Sequence, residues 1–560
     1  MLGQAFVSPS GSAAAGTPEA AAPEARTITR PGLLSLLAGV VAATGFQPLG
    51  LWPLALLAMG GFALLVARSS GWRQAAWLGW LFGLGHFTLG NNWIATAFTY
   101  QANMPAVLGW AAVPLLALYL ALFPALAAGA CRALQGALTR RREAAPRWTI
   151  APILGGTWII AEWLRSWLFT GYASNPFGVA LLGPFDRPGL AALAPWTGTY
   201  ALSGLAVMLS AAIALALVER RFLAAAAAGA LLAGGMYWPA PRAVEGSLAV
   251  TIVQPHLRQE RLNAPLLYEA NFQRLVRLSR PRVRGTERLV LWPESGLVDY
   301  LREGYPQRYY DRTTALGSPA FARRRIATSI GPDSVLLTGA VDLEIVGAGQ
   351  NGRASGAYNS VTALDGRSSA ILGGYAKAHL VPFGESLPFR ELLGPIGLDR
   401  MVPGTLDFIP GPGPRTLDLG EYGRAGIQIC YEIEFSGRVV DRAARPDYIF
   451  NPYNDGWFGR FGPPQHLAQA RLRAIEEGLP VLRSTTTGIS ALIDPHGVVR
   501  AHLPTGEMGR IDAMVPRALP PTLFARMGNL LVLIWAAFLL GGAAVAIARR
   551  PRYSPRTQGV

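Results

Sequence analysis

Cysteine is almost absent: the 560 residues hold two, Cys131 and Cys430. Two thiols cannot build a disulfide framework, a multi-cysteine zinc site or an iron–sulfur centre, so any cysteine that matters acts singly. Lysine is scarcer still. Lys377 stands alone among 50 basic residues, every other one being arginine. Charged residues make up only 15% against 51% hydrophobic, too apolar for an ordinary soluble protein and incompatible with disorder throughout. The six histidines, His86, His256, His379, His466, His496 and His502, show no metal-ligand spacing, and no glycine-rich phosphate loop occurs. Neither a metal nor a cofactor is expected.

What the chain has in quantity is long apolar runs. A bilayer crossing needs about 20 residues, and eight runs qualify, near 31–48, 50–68, 72–94, 104–131, 149–170, 199–218, 221–239 and 523–548. Arginines crowd alternate junctions: Arg68 and Arg73, Arg132 and Arg140 to Arg142, Arg220 and Arg221, Arg549 and Arg550. By the positive-inside rule those junctions are cytoplasmic. This asymmetry accounts for most of the net +16 and leaves no reason to invoke nucleic acid. Residues 1–30 read as a disordered cytoplasmic tail, 31–242 as seven spans, 518–548 as an eighth and 549–560 as a basic cytoplasmic tail. The polar stretch 243–517 then falls outside the cytoplasm. Within the bundle, Glu162 and Arg165 are spaced to pair on one helix, and Gly79 and Gly83 are spaced for close helix packing.

Between 243 and 517, short β-rich runs alternate with helical patterns. Leu248 to Gln254, Arg288 to Ser295, Ser334 to Val341, Ala425 to Cys430 and Asp447 to Tyr453 read as buried strands, and 265–280 and 465–478 as helices. This is an α/β sheet domain. The Gly- and Pro-rich stretch Leu393 to Pro414 reads as a long loop, either a cover over a site or a plain surface excursion.

Three residues carry chemistry. Lys377, in the apolar and turn-rich YAKAHLVPFGE, holds the one position not given to arginine, as expected where a compact ammonium is needed and a wide planar guanidinium cannot serve. Cys430 ends an apolar strand and precedes the acidic YEIEF, a corner of the kind that presents a nucleophile, whereas Cys131 at the end of an apolar run reads as structural. Glu294 in LWPES follows an apolar strand and a proline. A thiol, a carboxylate to take its proton and a cation for an oxyanion form an acyl-transfer set.

The order Glu294, Lys377, Cys430 on strand ends resembles the nitrilase (carbon–nitrogen hydrolase) superfamily, and the membrane frame resembles the apolipoprotein N-acyltransferase family. LWPES, YAKAHLVPFGE, IQICYEIEF, NPYNDGWFG and the stretch His466 to Ser490 carry the likeness. It implies an α-β-β-α sandwich on an eight-span bundle in the bacterial inner membrane, with the catalytic domain on the periplasmic side. It further implies a ping-pong reaction. Glu294 acts as general base, Cys430 takes an acyl chain from a phospholipid as a thioester, and Lys377 holds the oxyanion. The chain then passes to the α-amine of a diacylglyceryl-cysteine on an apolipoprotein. Glu385, Tyr431 and Glu432 resemble supporting residues, and the enzyme reads as a monomer. Trp457 and Phe458 are placed either as a lipid-facing lid or as interfacial anchors. A membrane-tethered amidase using water as acceptor is the alternative. The family often has a tryptophan shortly after the first strand of the domain; Leu257 to Pro265 has none, Ser386 stands where an aromatic often follows PFGE, and Thr170 to Gly178 only loosely resembles the family's aromatic-rich segment.

Overall fold

The computed structural model describes residues 30–550 apart from 101–106, 141–145, 263, 284, 387–390 and 392–405. Most of the Gly/Pro loop and most of the two terminal tails therefore lie outside the described residues. Among the described residues, eight helices of 13 or more residues precede the sandwich: α1 (Pro31–Ala43), α2 (Trp52–Arg68), α3 (Trp72–Gly90), α4 (Leu108–Leu120), α5 (Leu122–Thr139), α6 (Ile150–Arg165), α7 (Ala194–Val218) and α8 (Phe222–Met236). A further helix, Asn529–Ala548, closes the chain. Among the described residues, three helical stretches are long and apolar enough to cross a membrane, 108–139, 190–218 and 529–548, and α1, α2 and α8 are shorter apolar helices. Leucine and phenylalanine side chains such as Leu57, Leu223 and Phe538 point outward from these helices, as a lipid surround requires.

Close packing inside the bundle rests on glycine. A Cβ at Gly79 would meet the Pro124 carbonyl at 2.4 Å and one at Gly83 the Ala121 Cα at 2.7 Å, so α3 and α5 approach backbone to backbone. The expected Glu162–Arg165 pair does not form. Glu162 accepts from the Trp158 indole (2.9 Å) and the Phe177 N–H (2.8 Å), whereas Arg165 donates to the Ser174 carbonyl (2.8 Å) and stacks over Phe87. Helical spacing makes the two neighbours, but backbone groups freed where α6 ends and the chain turns back are the better partners.

The polar stretch builds two six-stranded sheets. The first comprises β1 (Glu245–Gln254), β2 (Arg288–Leu291), β3 (Ser334–Val346), β4 (Arg353–Asp365), β5 (Ile371–Ala376) and, at its edge, β12 (Gly509–Pro516), in the order β12-β1-β2-β3-β4-β5. The second holds β6 (Thr416–Asp418), β7 (Arg424–Ile427), β8 (Tyr448–Tyr453), β9 (Val481–Thr485), β10 (Ser490–Ile493) and β11 (Val499–Leu503), in the order β11-β10-β9-β8-β7-β6. Each sheet has a parallel centre, β1-β2-β3 and β7-β8-β9, flanked by antiparallel strands. Alternation sets the layers. Leu289 and Leu291 of β2 pack with Ile427, Phe450 and Leu482 between the sheets, while Val290 and Trp292 face Phe272 and Ile326 of the helices Tyr268–Ser279 and Pro319–Ile330. On the other side Ile449 and Val481 face Leu467 and Ala470 of the helix Gly462–Glu477. The result is an α-β-β-α sandwich.

Helix 462–477 also seats the sandwich on the bundle. Arg471, fully buried, donates to the carbonyls of Gly183, Pro184 and Arg187 (2.7–2.8 Å). Glu476 accepts from the backbone and hydroxyl of Thr199 (2.5 and 2.6 Å) and pairs with Arg473 at 2.9 Å.

Candidate active site

Strand β7 stops at Ile427, three residues before the cysteine expected to close it. The Gln428 N–H still donates to the Phe450 carbonyl (2.9 Å), after which the chain swings into a turn over Cys430–Glu434. Cys430 sits at φ 55°, in the left-handed region, a conformation that costs a residue with a side chain about 1–3 kcal/mol. Surrounding bonds hold it there. Glu432 accepts at one carboxylate oxygen from Ile429 N–H (2.8 Å) and at the other from the Tyr375 hydroxyl (2.7 Å) and the N–H groups of Ala378 (2.8 Å) and His379 (3.1 Å). It thus ties the cysteine turn to the segment carrying Lys377. Asn451 donates to the carbonyls of Gln428 (2.6 Å) and Cys430 (3.3 Å) and is itself held by Arg483 (2.5 Å). Toward the bundle, the Tyr431 hydroxyl donates to the Gly171 carbonyl (3.1 Å) and the Ser174 hydroxyl to Glu434.

Glu294 follows β2 and lies beside β3, where Gly339 permits an approach no other residue allows: a Cβ there would meet the Glu294 carbonyl oxygen at 2.1 Å. One Glu294 carboxylate oxygen accepts from the Asn454 N–H (2.8 Å), the other from the Asn359 side-chain amide (2.8 Å). The same amide nitrogen donates to Glu385 (2.8 Å), which also accepts from the Val381 N–H (2.9 Å). Lys377, 1% exposed, lies 2.8 Å from Glu385 and 3.6 Å from Glu294. Two carboxylates thus share one cation, with Asn359 spacing them apart. A Gly339→Ala enzyme is expected to lose about 10- to 100-fold in turnover through displacement of Glu294, while circular dichroism shows the sandwich retained.

Burial dominates the protonation states. It raises the Glu294 carboxyl above its ordinary range, against the pull of Lys377. It pushes the Cys430 thiol well above its usual value, with Glu294 adding to the rise and Lys377 opposing it. Burial works against the Lys377 charge, yet Glu385, then Cys430 and Glu294, hold its pKa above that of an ordinary lysine. Burial and Glu294 thus favour the protonated thiol, and the neighbouring acidic groups keep Lys377 a cation.

Glu294, Lys377, Glu385, Cys430, Trp457 and Phe458 line a single cavity of about 480 Å³. Tyr431 and Glu432 stand behind Cys430 in the turn. Phe458 packs on Trp93 and His466, and Trp457 meets Tyr100, so the cavity wall is continuous with the ends of the bundle. Asn359, which helps tie this site together, carries no sequence signal; Tyr375 opens YAKAHLVPFGE and Asn454 lies within NPYNDGWFG, motifs that do not by themselves single out either residue.

The carbon–nitrogen hydrolase family model matches residues 250–519, the stretch that builds the sandwich, and the model for the apolipoprotein N-acyltransferase N-terminal domain matches 38–212. The chain is 34% identical over 545 residues to the apolipoprotein N-acyltransferase of Rhodopseudomonas palustris, spanning 93% of this chain and 95% of that one. It is 34% identical to that of Bradyrhizobium diazoefficiens (94% and 95%) and 33% identical to that of Caulobacter vibrioides (92% and 94%). The chain belongs to the apolipoprotein N-acyltransferase family.

Proposed function

We propose that this enzyme moves an acyl chain from a membrane phospholipid to the N-terminal amine of a diacylglyceryl-cysteine on an apolipoprotein, through a thioester on Cys430. The observation that carries this reading is the single cavity holding Cys430, Lys377 and Glu294, walled by Trp457, Phe458 and Ala97 next to the bundle. In the first half-reaction Glu294 takes the thiol proton as the sulfur bonds to the ester carbonyl. The C–O bond then breaks, the proton passes to the leaving alkoxide, and a lysophospholipid departs. In the second, the free amine attacks the thioester, its proton goes to Glu294 and then to the sulfur, and an amide forms as Cys430 is released. Lys377 faces the oxyanion in both halves. Glu385 holds the ammonium in place, while Tyr431 and Glu432 position the nucleophile turn. The aromatic wall of Trp457 and Phe458 limits water, which would otherwise hydrolyse the thioester.

The same reading gives the chain eight crossings, with 31–242 and 518–548 in the inner membrane, 243–517 on the periplasmic side, and a monomer as the working unit. Arginine asymmetry along the sequence supports that orientation. The test is mass spectrometry of the purified enzyme after incubation with isotopically labelled phospholipid. The expected result is an acyl mass on the peptide containing Cys430, removed by hydroxylamine and by an apolipoprotein peptide with a free amine. An unmodified peptide with activity intact overturns the reading.

A further inference from the structure

After α6 the segment 170–175 leaves the bundle and enters the sandwich. Ala173, 1% exposed, belongs to the buried cluster between the two sheets, with Cys430, Tyr431, Phe435 and Tyr453. Among the described residues every other buried member of that cluster comes from 243–517. Around Ala173 the segment bonds to both catalytic stretches. The Thr170 carbonyl lies 3.1 Å from His379 Nε2, and the Gly171 carbonyl accepts from the Tyr431 hydroxyl (3.1 Å). The Ser174 hydroxyl donates to the carboxylate of Glu434, a residue only 2% exposed. Among the described residues, no other part of the bundle hydrogen-bonds to the turn Cys430–Glu434.

The same segment is fixed to the helices. Arg165 at the end of α6 donates to the Ser174 carbonyl (2.8 Å), and the Tyr172 hydroxyl donates to Asn91 just past α3 (2.9 Å). The Asn175 side-chain amide donates to the Gly90 carbonyl (3.2 Å) and to Gln465 (2.7 Å). Phe169 and Asn175 stand in the left-handed region, at φ 60° and 50°, a conformation that persists only where its surroundings over-determine it. Ser174 thus joins α6 to the nucleophile turn through a single residue, its carbonyl accepting from α6 and its hydroxyl donating to Glu434. Glu432 and Asn451 hold the start of that turn from within the sandwich, whereas the Glu434 carboxylate at its end is held from the bundle. A turn anchored at both ends keeps its sulfur in register with Glu294 and Lys377, and a displacement of about 1 Å there costs about 10²-fold in rate.

We propose that the segment 170–175 positions the nucleophile turn from the bundle, with Ser174 and Glu434 as positioning residues for Cys430. The inference rests on the acyl-transfer reading only where turnover is measured, and hydrogen exchange reads the anchoring without it. The experiment uses the full chain in a neutral detergent, comparing Ser174→Ala, Glu434→Leu, Glu434→Gln and the double variant Ser174→Ala/Glu434→Leu. Ser174→Ala and Glu434→Leu are each expected to speed amide exchange across 428–436, while the distant strands β11 and β12 exchange as before. Neither side chain lines the catalytic cavity, so in acyl transfer each is expected to lower kcat about tenfold and leave KM within about twofold. Glu434→Gln keeps an oxygen for the Ser174 hydroxyl and is expected to retain most of the turnover. The double variant is expected to be no slower than the slower single one, because both changes remove one interaction. Should Glu434→Leu fail to fold, Ser174→Ala and Glu434→Gln carry the comparison by themselves. Unchanged exchange across 428–436 in Ser174→Ala overturns the proposal, and so does an unchanged kcat in that variant. Losses that multiply in the double variant overturn it as well, as does a Glu434→Gln enzyme as slow as Ser174→Ala. Faster exchange confined to the turn, together with no acyl mass on Cys430 in the unsubstituted enzyme, leaves the anchoring in place and removes the acyl-transfer reading.

Discussion

A Glu294→Gln enzyme is expected to transfer acyl chains about 10²–10⁴-fold more slowly than the unsubstituted one, the range supplied by a positioned proton acceptor. The amide matches the carboxylate in size and keeps one acceptor oxygen for the Asn454 N–H, at the loss of the bond from the Asn359 amide, while Lys377 keeps its closer partner Glu385 at 2.8 Å, so the fold is expected to survive. What is lost is the means of removing a proton from a thiol that burial holds well above its usual pKa. The pH profile gives a second readout. Only the carboxylate form of Glu294 accepts a proton, and burial raises its pKa, so kcat/KM is expected to fall on the acid side through a value above the ordinary glutamate range. In the Gln variant that acid limb disappears from whatever rate remains. A variant that keeps both its rate and its acid limb would mean that another group is the base.

Lys377→Arg is expected to cost about 10²–10³-fold in acyl transfer, the range of a lost oxyanion donor, although the charge is conserved. The ammonium is 1% exposed, 2.8 Å from Glu385 and 3.6 Å from Glu294, so a guanidinium must displace one of the carboxylates or the cysteine turn. Forcing extra atoms into a packed interior typically costs about 1–3 kcal/mol, so a lower melting temperature is expected alongside. Lys377→Met separates the two effects. It is isosteric enough to fit, and its rate is expected to fall at least as far as that of the Arg variant. Its melting temperature is also expected to fall, because Glu385 and Glu294 are left without their buried counter-charge. Steady-state rates near those of the unsubstituted enzyme in either variant would remove Lys377 from the chemistry.

Scarcity made part of this site legible. One lysine and two cysteines in 560 residues draw the eye to Lys377 and Cys430, and a carboxylate directly after an apolar strand and a proline marks Glu294. Strands were legible where apolar residues stand side by side, as in Leu289–Leu291 of β2 and Tyr448–Phe450 of β8, because both faces of a sandwich strand are covered. Asn359 was not legible. It sits in the middle of β4, and its two carboxylate partners are 65 and 26 positions away, so no local pattern records the bridge. The Glu162–Arg165 spacing misled for a related reason: proximity on one helix is local information, but which backbone groups lie freed nearby is not.

From its sequence alone the chain determined an apolar frame with arginine crowded at alternate junctions, an α/β domain between apolar runs, and the residue types available for acyl transfer. Composition and short-period patterning settle these, since burial in lipid or in a sheet acts on residues a few positions apart. Tertiary structure decided the rest: that Cys430 turns in a left-handed conformation after its strand, and that Glu385 stands closer to Lys377 than Glu294 does. It also decided that one cavity gathers all of them. Those outcomes depend on sheets closing over segments far apart in the chain, where geometry is set by packing and shared hydrogen bonds that no neighbouring residue encodes.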